Sequence, residues 1–263
     1  MRFALALVAL AASAAPLAAQ TPDTVFLEEL TWVEVRDALQ AGVTTVLIPT
    51  GGTEQNGPHM ALGKHNYLVK YKAGEIAKRL GKTLVAPVIA YVPEGDIDPP
   101  TSHMRFAGTI TTPPEVFAKV LEYAARSFKQ HGFRDIAFLG DSGGNQASQE
   151  QVAAALNQEW AGSPVRVHHL TDYYPGRGDD WLTEQGLPEE VVGSHASIHD
   201  TASLLVLNPA MLRMSEARLS KSGDGSGVVG NPARSTEEYG RKILEMQIED
   251  ATRQLRTLRE TKR

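Results

Sequence analysis

The chain has 263 residues and a formal net charge of −5, with 42 % hydrophobic and 22 % charged residues, the make-up of an ordinary globular protein. It contains no cysteine, which excludes disulfides, thiolate metal sites and a cysteine nucleophile. No basic stripe stands out, so the electrostatic footprint of a nucleic-acid binder is missing.

The first twenty residues read as a secretory signal peptide. Arg2 supplies a positive start, Phe3 to Ala15 an apolar run, and the small Ala18 and Ala19 a cleavage site near Ala19 or Gln20. The mature protein, residues 21–263, is then exported, to the periplasm or beyond, and reads as one domain. No later apolar run approaches the roughly 20 residues of a membrane helix. Thr31 to Ala41 predicts a helix with Thr31 as its N-cap, and the apolar Thr45–Ile48 a buried strand. Leu68 to Leu80 has helical spacing and stops at Gly81. Leu84 to Tyr91 reads as a second strand, followed by a loop from Pro93 to Thr112 long enough to suggest function. Pro113-Pro114-Glu115 opens a helix to about His131, closed by Gly132. Asp135–Leu139 is a third strand, Gln146 to Trp160 a helix, and Val165–Leu170 a fourth strand. Asp172 to Gly186 reads as a polar loop and Ala196 to Leu207 as a helix. Ser222–Val229 is a flexible loop, and Thr236 to Leu258 a charged amphipathic helix. This alternation predicts a three-layer α/β/α sandwich around a mainly parallel sheet.

Three Gly-rich segments concentrate the polar residues. The first, after the strand at Thr45–Ile48, holds Glu54, Asn56, His59 and His65. The second, Gly140 to Asn145, holds Asp141, Ser142 and Asn145. The third, Gly193 to Thr201, holds His195, His199 and Asp200. Such loops converge at the carboxyl edge of a doubly wound sheet, and carboxylates with imidazoles there suit a divalent metal.

Glu54-Gln55-Asn56-Gly57-Pro58-His59 resembles the Glu-Gln-His-Gly-Pro-His signature of the creatininase (creatinine amidohydrolase) family. The resemblance continues in order at Leu62-Gly63-Lys64-His65, at His103 to Thr109, at Gly143-Gly144-Asn145, at His195-Ala196 through Asp200-Thr201, and at Gly230-Asn231-Pro232-Ala233. It spans roughly residues 30 to 245. It implies a metal-dependent amidohydrolase acting on a small cyclic or linear amide, and a homo-oligomer, hexameric in much of the family. The family's first ligating Glu falls on Glu54 and its proton-shuttling His on His195. Its next His is Asn56 here, its bridging Asp is His65, its later loop His is Ser142, and its late Glu is Asp200.

Those changes limit the metal chemistry. A carboxylate bridges two metals, whereas a neutral imidazole offers one lone pair. The expectation is therefore one divalent ion, zinc before manganese or iron, on Glu54, His65 and Asp200, with Asp141 able to replace a lost ligand. His195 would carry the proton to the leaving nitrogen. The backbone N–H groups of Gly143 and Gly144, beside Ser142, would stabilise the oxyanion. His103, Asn145 and Asn56 would touch substrate, with help from the Asp172–Trp181 segment. His59, His168 and His169 read as structural. Two rivals stand beside this reading. One is a non-catalytic exported binding protein with a decayed metal site. The other is an esterase using Ser142, because Gly140 to Gly144 matches the Gly-x-Ser-x-Gly nucleophile elbow.

Overall fold

A computed structural model describes residues 22–220 and 222–261. The expected signal peptide lies outside the described residues. A four-stranded sheet forms the middle layer, in the order β2 (Thr83–Val85), β1 (Thr45–Thr50), β3 (Asp135–Gly140), β4 (Arg166–His169). Every neighbouring pair is parallel, and β1 matches β3 from Thr45↔Asp135 to Thr50↔Gly140.

Both faces of the sheet are covered, so β1, β2 and β3 are buried along their whole length, whereas the edge strand β4 is buried only at Val167 and His168. Val46, Ile48, Ile136 and Phe138 point to one layer, where they meet Phe117, Leu121 and Ala125 of α3 (Pro114–His131) and Val152 and Leu156 of α4 (Gln146–Glu159). Leu39 of α1 (Trp32–Gln40) packs against the same cluster. Leu47, Ala137 and Leu139 point the other way, onto Val69, Ala73 and Ile76 of α2 (Lys64–Leu80) and Ile248, Ala251 and Leu255 of α9 (Glu237–Glu260). The expected three-layer α/β/α sandwich is what the chain adopts.

Local signals set most of the boundaries. Thr31 and Glu34 close a capping box at the start of α1. Gly132, at φ 104°, ends α3 in a left-handed conformation. The second strand is shorter than its apolar run, because Pro87 has no N–H for a ladder. The run still follows β1, with a bridge between Thr50 and Ile89. The Asp172–Gly186 segment is not all loop, since α5 (Gly178–Glu184) forms within it and buries Leu182. Two short helices escaped the sequence reading, α6 (Glu189–Val192) and α8 (Met214–Leu219). Helix α7 (Ile198–Leu207) packs on α9. A Cβ at Gly240 there would collide with the Ala202 carbonyl oxygen, so only glycine permits that approach.

Strand β1 is central, with β2 on one side and β3 on the other, so the carboxyl ends of β1 and β3 flank the point where the strand order reverses. A crevice at that point is where open α/β sheets bind ligands.

Candidate active site

Asn145 and Asn66 fix the exit of β1. Asn145 Nδ2 donates to Thr50 Oγ1 at 2.8 Å and to the Gly51 carbonyl at 2.9 Å, and Gly52 N–H donates to Asn66 Oδ1 at 3.1 Å. Glu54, two residues on and only 2 % exposed, is thereby presented to a cavity of about 970 Å³.

Three ligand atoms meet at Glu54. His103 Nε2 lies 3.3 Å from Glu54 Oε2 and His195 Nδ1 lies 4.0 Å from Glu54 Oε1. The two imidazole centroids are 4.7 Å apart, and one donor atom from each of the three residues lies within 4.8 Å of the other two. Ligands bound tetrahedrally at about 2.0–2.1 Å stand roughly 3.3 Å from one another, so this set fits a zinc-sized ion. Burial, with Lys64 nearby, pushes His195 down to about 4, and burial also lowers His103. Both rings are therefore neutral at pH 7, the form that ligates metal.

Gln55 governs which nitrogen carries each proton. Its Oε1 accepts from Gly57 N–H at 2.9 Å, which turns its Nε2 toward the two rings, 3.1 Å from His103 Nδ1 and 2.9 Å from His195 Nε2. His195 Nε2 also lies 3.0 Å from the Gln55 carbonyl oxygen. Accepting from Gln55 Nε2 would put the ring proton on Nδ1, whereas donating to that carbonyl oxygen leaves a lone pair on Nδ1 facing Glu54, and only the second form can ligate a cation there. His103 accepts from Gln55 at Nδ1, so its proton sits on Nε2, which faces Glu54 Oε2 at 3.3 Å without a hydrogen bond. A cation at that nitrogen requires the other tautomer of His103.

The residues expected as the rest of a metal site are otherwise engaged. His65 Nε2 lies 2.8 Å from Glu54 Oε1 and its Nδ1 3.0 Å from Asp141 Oδ2. Burial and Lys64 oppose its charge, yet the two carboxylates raise its proton affinity, and each nitrogen is already directed at a carboxylate oxygen rather than at the open cavity. Asp141 Oδ1 accepts from Lys72 Nζ at 2.7 Å and from Tyr173 O–H. Burial favours the neutral acid, but Lys72 and His65 hold Asp141 at about 2. Asp200 Oδ2 pairs with Lys64 Nζ at 2.9 Å and accepts from Ala196 N–H at 3.2 Å. Of the expected ligands, then, Glu54 stands in the open donor set, whereas His65, Asp141 and Asp200 sit in ion pairs beside it. His195 belongs with Glu54 as a donor, and with Nδ1 given to a cation and Nε2–H to the Gln55 carbonyl it has no second lone pair with which to take up and pass on a proton.

The expected substrate-binding residues divide in the same way. His103 reaches the cavity, whereas Asn145 is spent on β1, and Asn56 turns back to the Glu54 carbonyl at 3.0 Å. His59 is a packing residue, with Nε2 3.0 Å from Thr201 Oγ1. Ser142, Gly143 and Gly144 line the cavity. Gly144 abuts the Pro93 carbonyl oxygen, where a Cβ would clash. Among the described residues no hydrogen bond joins Ser142 Oγ to an imidazole, so the elbow-like sequence lacks its base.

Two cavity groups escaped the sequence reading. Glu94 is buried beside Glu54. Burial, then the hydrogen bond to Glu54 and its charge, push Glu94 up to about 10, so it is a carboxylic acid donating to a carboxylate. This accounts for Glu54 Oε2 and Glu94 Oε1 having no N–H or hydroxyl partner. His199 Nδ1 lies 2.8 Å from Asp179 Oδ1, and this bond outweighs burial and raises the ring's proton affinity. His199 sits in the third Gly-rich segment. Its partner lies in a helix read as loop, which hid the pair.

Comparison with known proteins agrees with this fold. A family model described as creatininase, creatinine amidohydrolase, matches residues 28–255. A mycofactocin precursor peptide peptidase of Mycobacterium tuberculosis (strain ATCC 25618 / H37Rv) is 28 % identical over 222 residues, covering 80 % of this chain and 84 % of that protein. A creatininase solved with manganese superposes with a TM-score of 0.76 at 20 % identity, over 90 % of this chain and 99 % of that one. A variant creatininase of zinc–zinc type gives 0.74 at 20 % identity, over 91 % and 100 %.

Proposed function

The chain belongs to the creatininase family, and from that premise we propose that it hydrolyses a C–N bond of a small cyclic or linear amide with one divalent cation. The observation that carries this reading is the donor set of Glu54, His103 and His195 at the switch point of the sheet. A zinc or manganese ion held there would polarise the amide carbonyl and lower the pKa of water. The chain's own residues supply the rest. Gln55 orients both rings, and Gly143 and Gly144 line the wall where the carbonyl oxygen would lie. His199, whose proton affinity Asp179 raises and which lines the same cavity, would replace His195 as the proton donor to the departing nitrogen. A volume of about 970 Å³ suits a small amide or the end of a peptide. The apolar N-terminal run supports export, and the exposed Val116, Val120 and Tyr123 on α3 support a homo-oligomer.

One observation favours a non-catalytic binding protein. The carboxylates of Asp141 and Asp200 already hold internal ammonium groups. Metal analysis of protein purified without chelator separates the two readings. About one zinc or manganese per chain is expected, lost in H103A and H195A, together with amide hydrolysis that stops on chelation. Protein that neither retains nor takes up metal would overturn the hydrolase.

A further inference from the structure

We propose that Lys64 is the substrate-binding cation of this cavity, seating a carboxylate or similar anionic oxygen carried by the amide. The inference rests on the amide-hydrolase reading and narrows its substrate to an anionic class.

Two buried lysines project from α2, and they differ in how far they are satisfied. Lys72 is 2 % exposed, and its Nζ donates to Asp141 at 2.7 Å and Gln247 at 3.0 Å while lying 4.8 Å from the centre of the Tyr173 ring. Lys64 is 1 % exposed, yet its ammonium contacts Asp200 Oδ2 at 2.9 Å and, among the described residues, no second polar atom. An ammonium has three N–H donors, and a buried polar group left short of partners is costly. Lys64 lines the cavity, so its two remaining donors are available to whatever enters. Its charge acts on Glu54, Glu94, His103 and His195 together, which puts it within electrostatic reach of the whole donor set.

The charge pattern points the same way. Beside the donor set, Asp141 is already paired with Lys72 and Asp200 with Lys64. A divalent ion at Glu54, His103 and His195 would add positive charge next to these pairs. A ligand anion beside Lys64 would offset that charge and complete the ammonium's hydrogen bonds. A neutral amide oxygen could accept from the ammonium but would not offset the charge.

The test compares N-acetylglycine with its neutral counterpart N-acetylglycinamide, titrated calorimetrically into zinc-loaded protein. The variants are K64M, K64R and the charge-neutral pair K64M/D200N, which keeps the fold testable should K64M strand Asp200. The wild type is expected to bind the carboxylate about tenfold more tightly, as one charge-assisted hydrogen bond would give. K64R should keep that preference, and K64M/D200N should bind the two probes within about twofold. No preference in the wild type, or a preference that survives in folded K64M/D200N, would overturn the proposal. Zinc per chain is read on the same samples. A lack of zinc would sink the hydrolase reading, whereas a Lys64-dependent preference would still stand.

Discussion

Replacing Lys72 by methionine keeps most of the stem volume and deletes a buried ammonium. Asp141 would then hold only His65 and Tyr173 in a site that excludes water. Breaking one side of a buried ion pair costs about 3–5 kcal/mol, because the remaining charge is left desolvated. The depression of Asp141 from 3.8 to about 2 gives a second figure, roughly 2 kcal/mol at about 1.4 kcal/mol per unit. That figure is smaller because it counts only the carboxylate's proton equilibrium, and part of it belongs to His65. A loss of about 3 kcal/mol is expected for K72M, which lowers Tm by about 6–12 °C in a chain of this size. The assay is thermal and urea unfolding followed by circular dichroism, with the m-value checked for constancy. The pH dependence has a definite sign. Asp141 is depressed in the folded state, so its stabilisation is complete above its unfolded value of 3.8 and disappears as pH falls toward about 2. Losing Lys72 raises the folded pKa, so acid unfolding of K72M should begin at higher pH than in wild type. K72M/D141N, with both charges gone, should recover part of the loss. A cost below about 1 kcal/mol would refute the assignment of Lys72 as Asp141's obligatory partner. So would recovery of K72M stability on adding zinc, which would mean Asp141 had been a ligand waiting for metal.

Q55E tests the tautomer argument. A carboxylate in place of the amide would accept from His103 Nδ1–H and His195 Nε2–H, leaving both lone pairs toward Glu54. Zinc affinity, measured by competition with a chromophoric chelator, should rise about tenfold, and unchanged or weaker binding would refute the assignment. Native mass spectrometry of the exported protein should give a subunit beginning near Thr21, assembled as a multiple of that mass. An unprocessed N-terminus on exported protein would overturn the signal-peptide reading, and a monomer would overturn the oligomer.

The fold was legible in the sequence wherever one physical signal dominated. Apolar runs marked β1 and β3, a capping pair opened α1, and Gly132 closed α3. The first turn of α2 stayed hidden because its buried residues, Lys64 and His65, are polar, and hydrophobic periodicity counts such positions as surface. That one omission carried into the site. With the helix starting at Leu68, Lys64 was merely the neighbour of a candidate ligand, and Lys72 one charged residue among many in a helix. Only the fold shows that their ammonium groups turn inward and occupy Asp200 and Asp141. The family resemblance ranked His65 as a ligand because it falls on the family's bridging Asp, but the chain path put it between the carboxylates of Glu54 and Asp141, which occupy both of its nitrogens. The second imidazole of the donor set came instead from the long Pro93–Thr112 loop, where His103 N–H donates to the Glu94 carbonyl at 3.2 Å. No periodicity encodes that bond. A donor set assembled from loops is fixed by contacts remote in sequence, so composition and spacing could locate the rim of the sheet but could not say which residues there remain free to hold a cation.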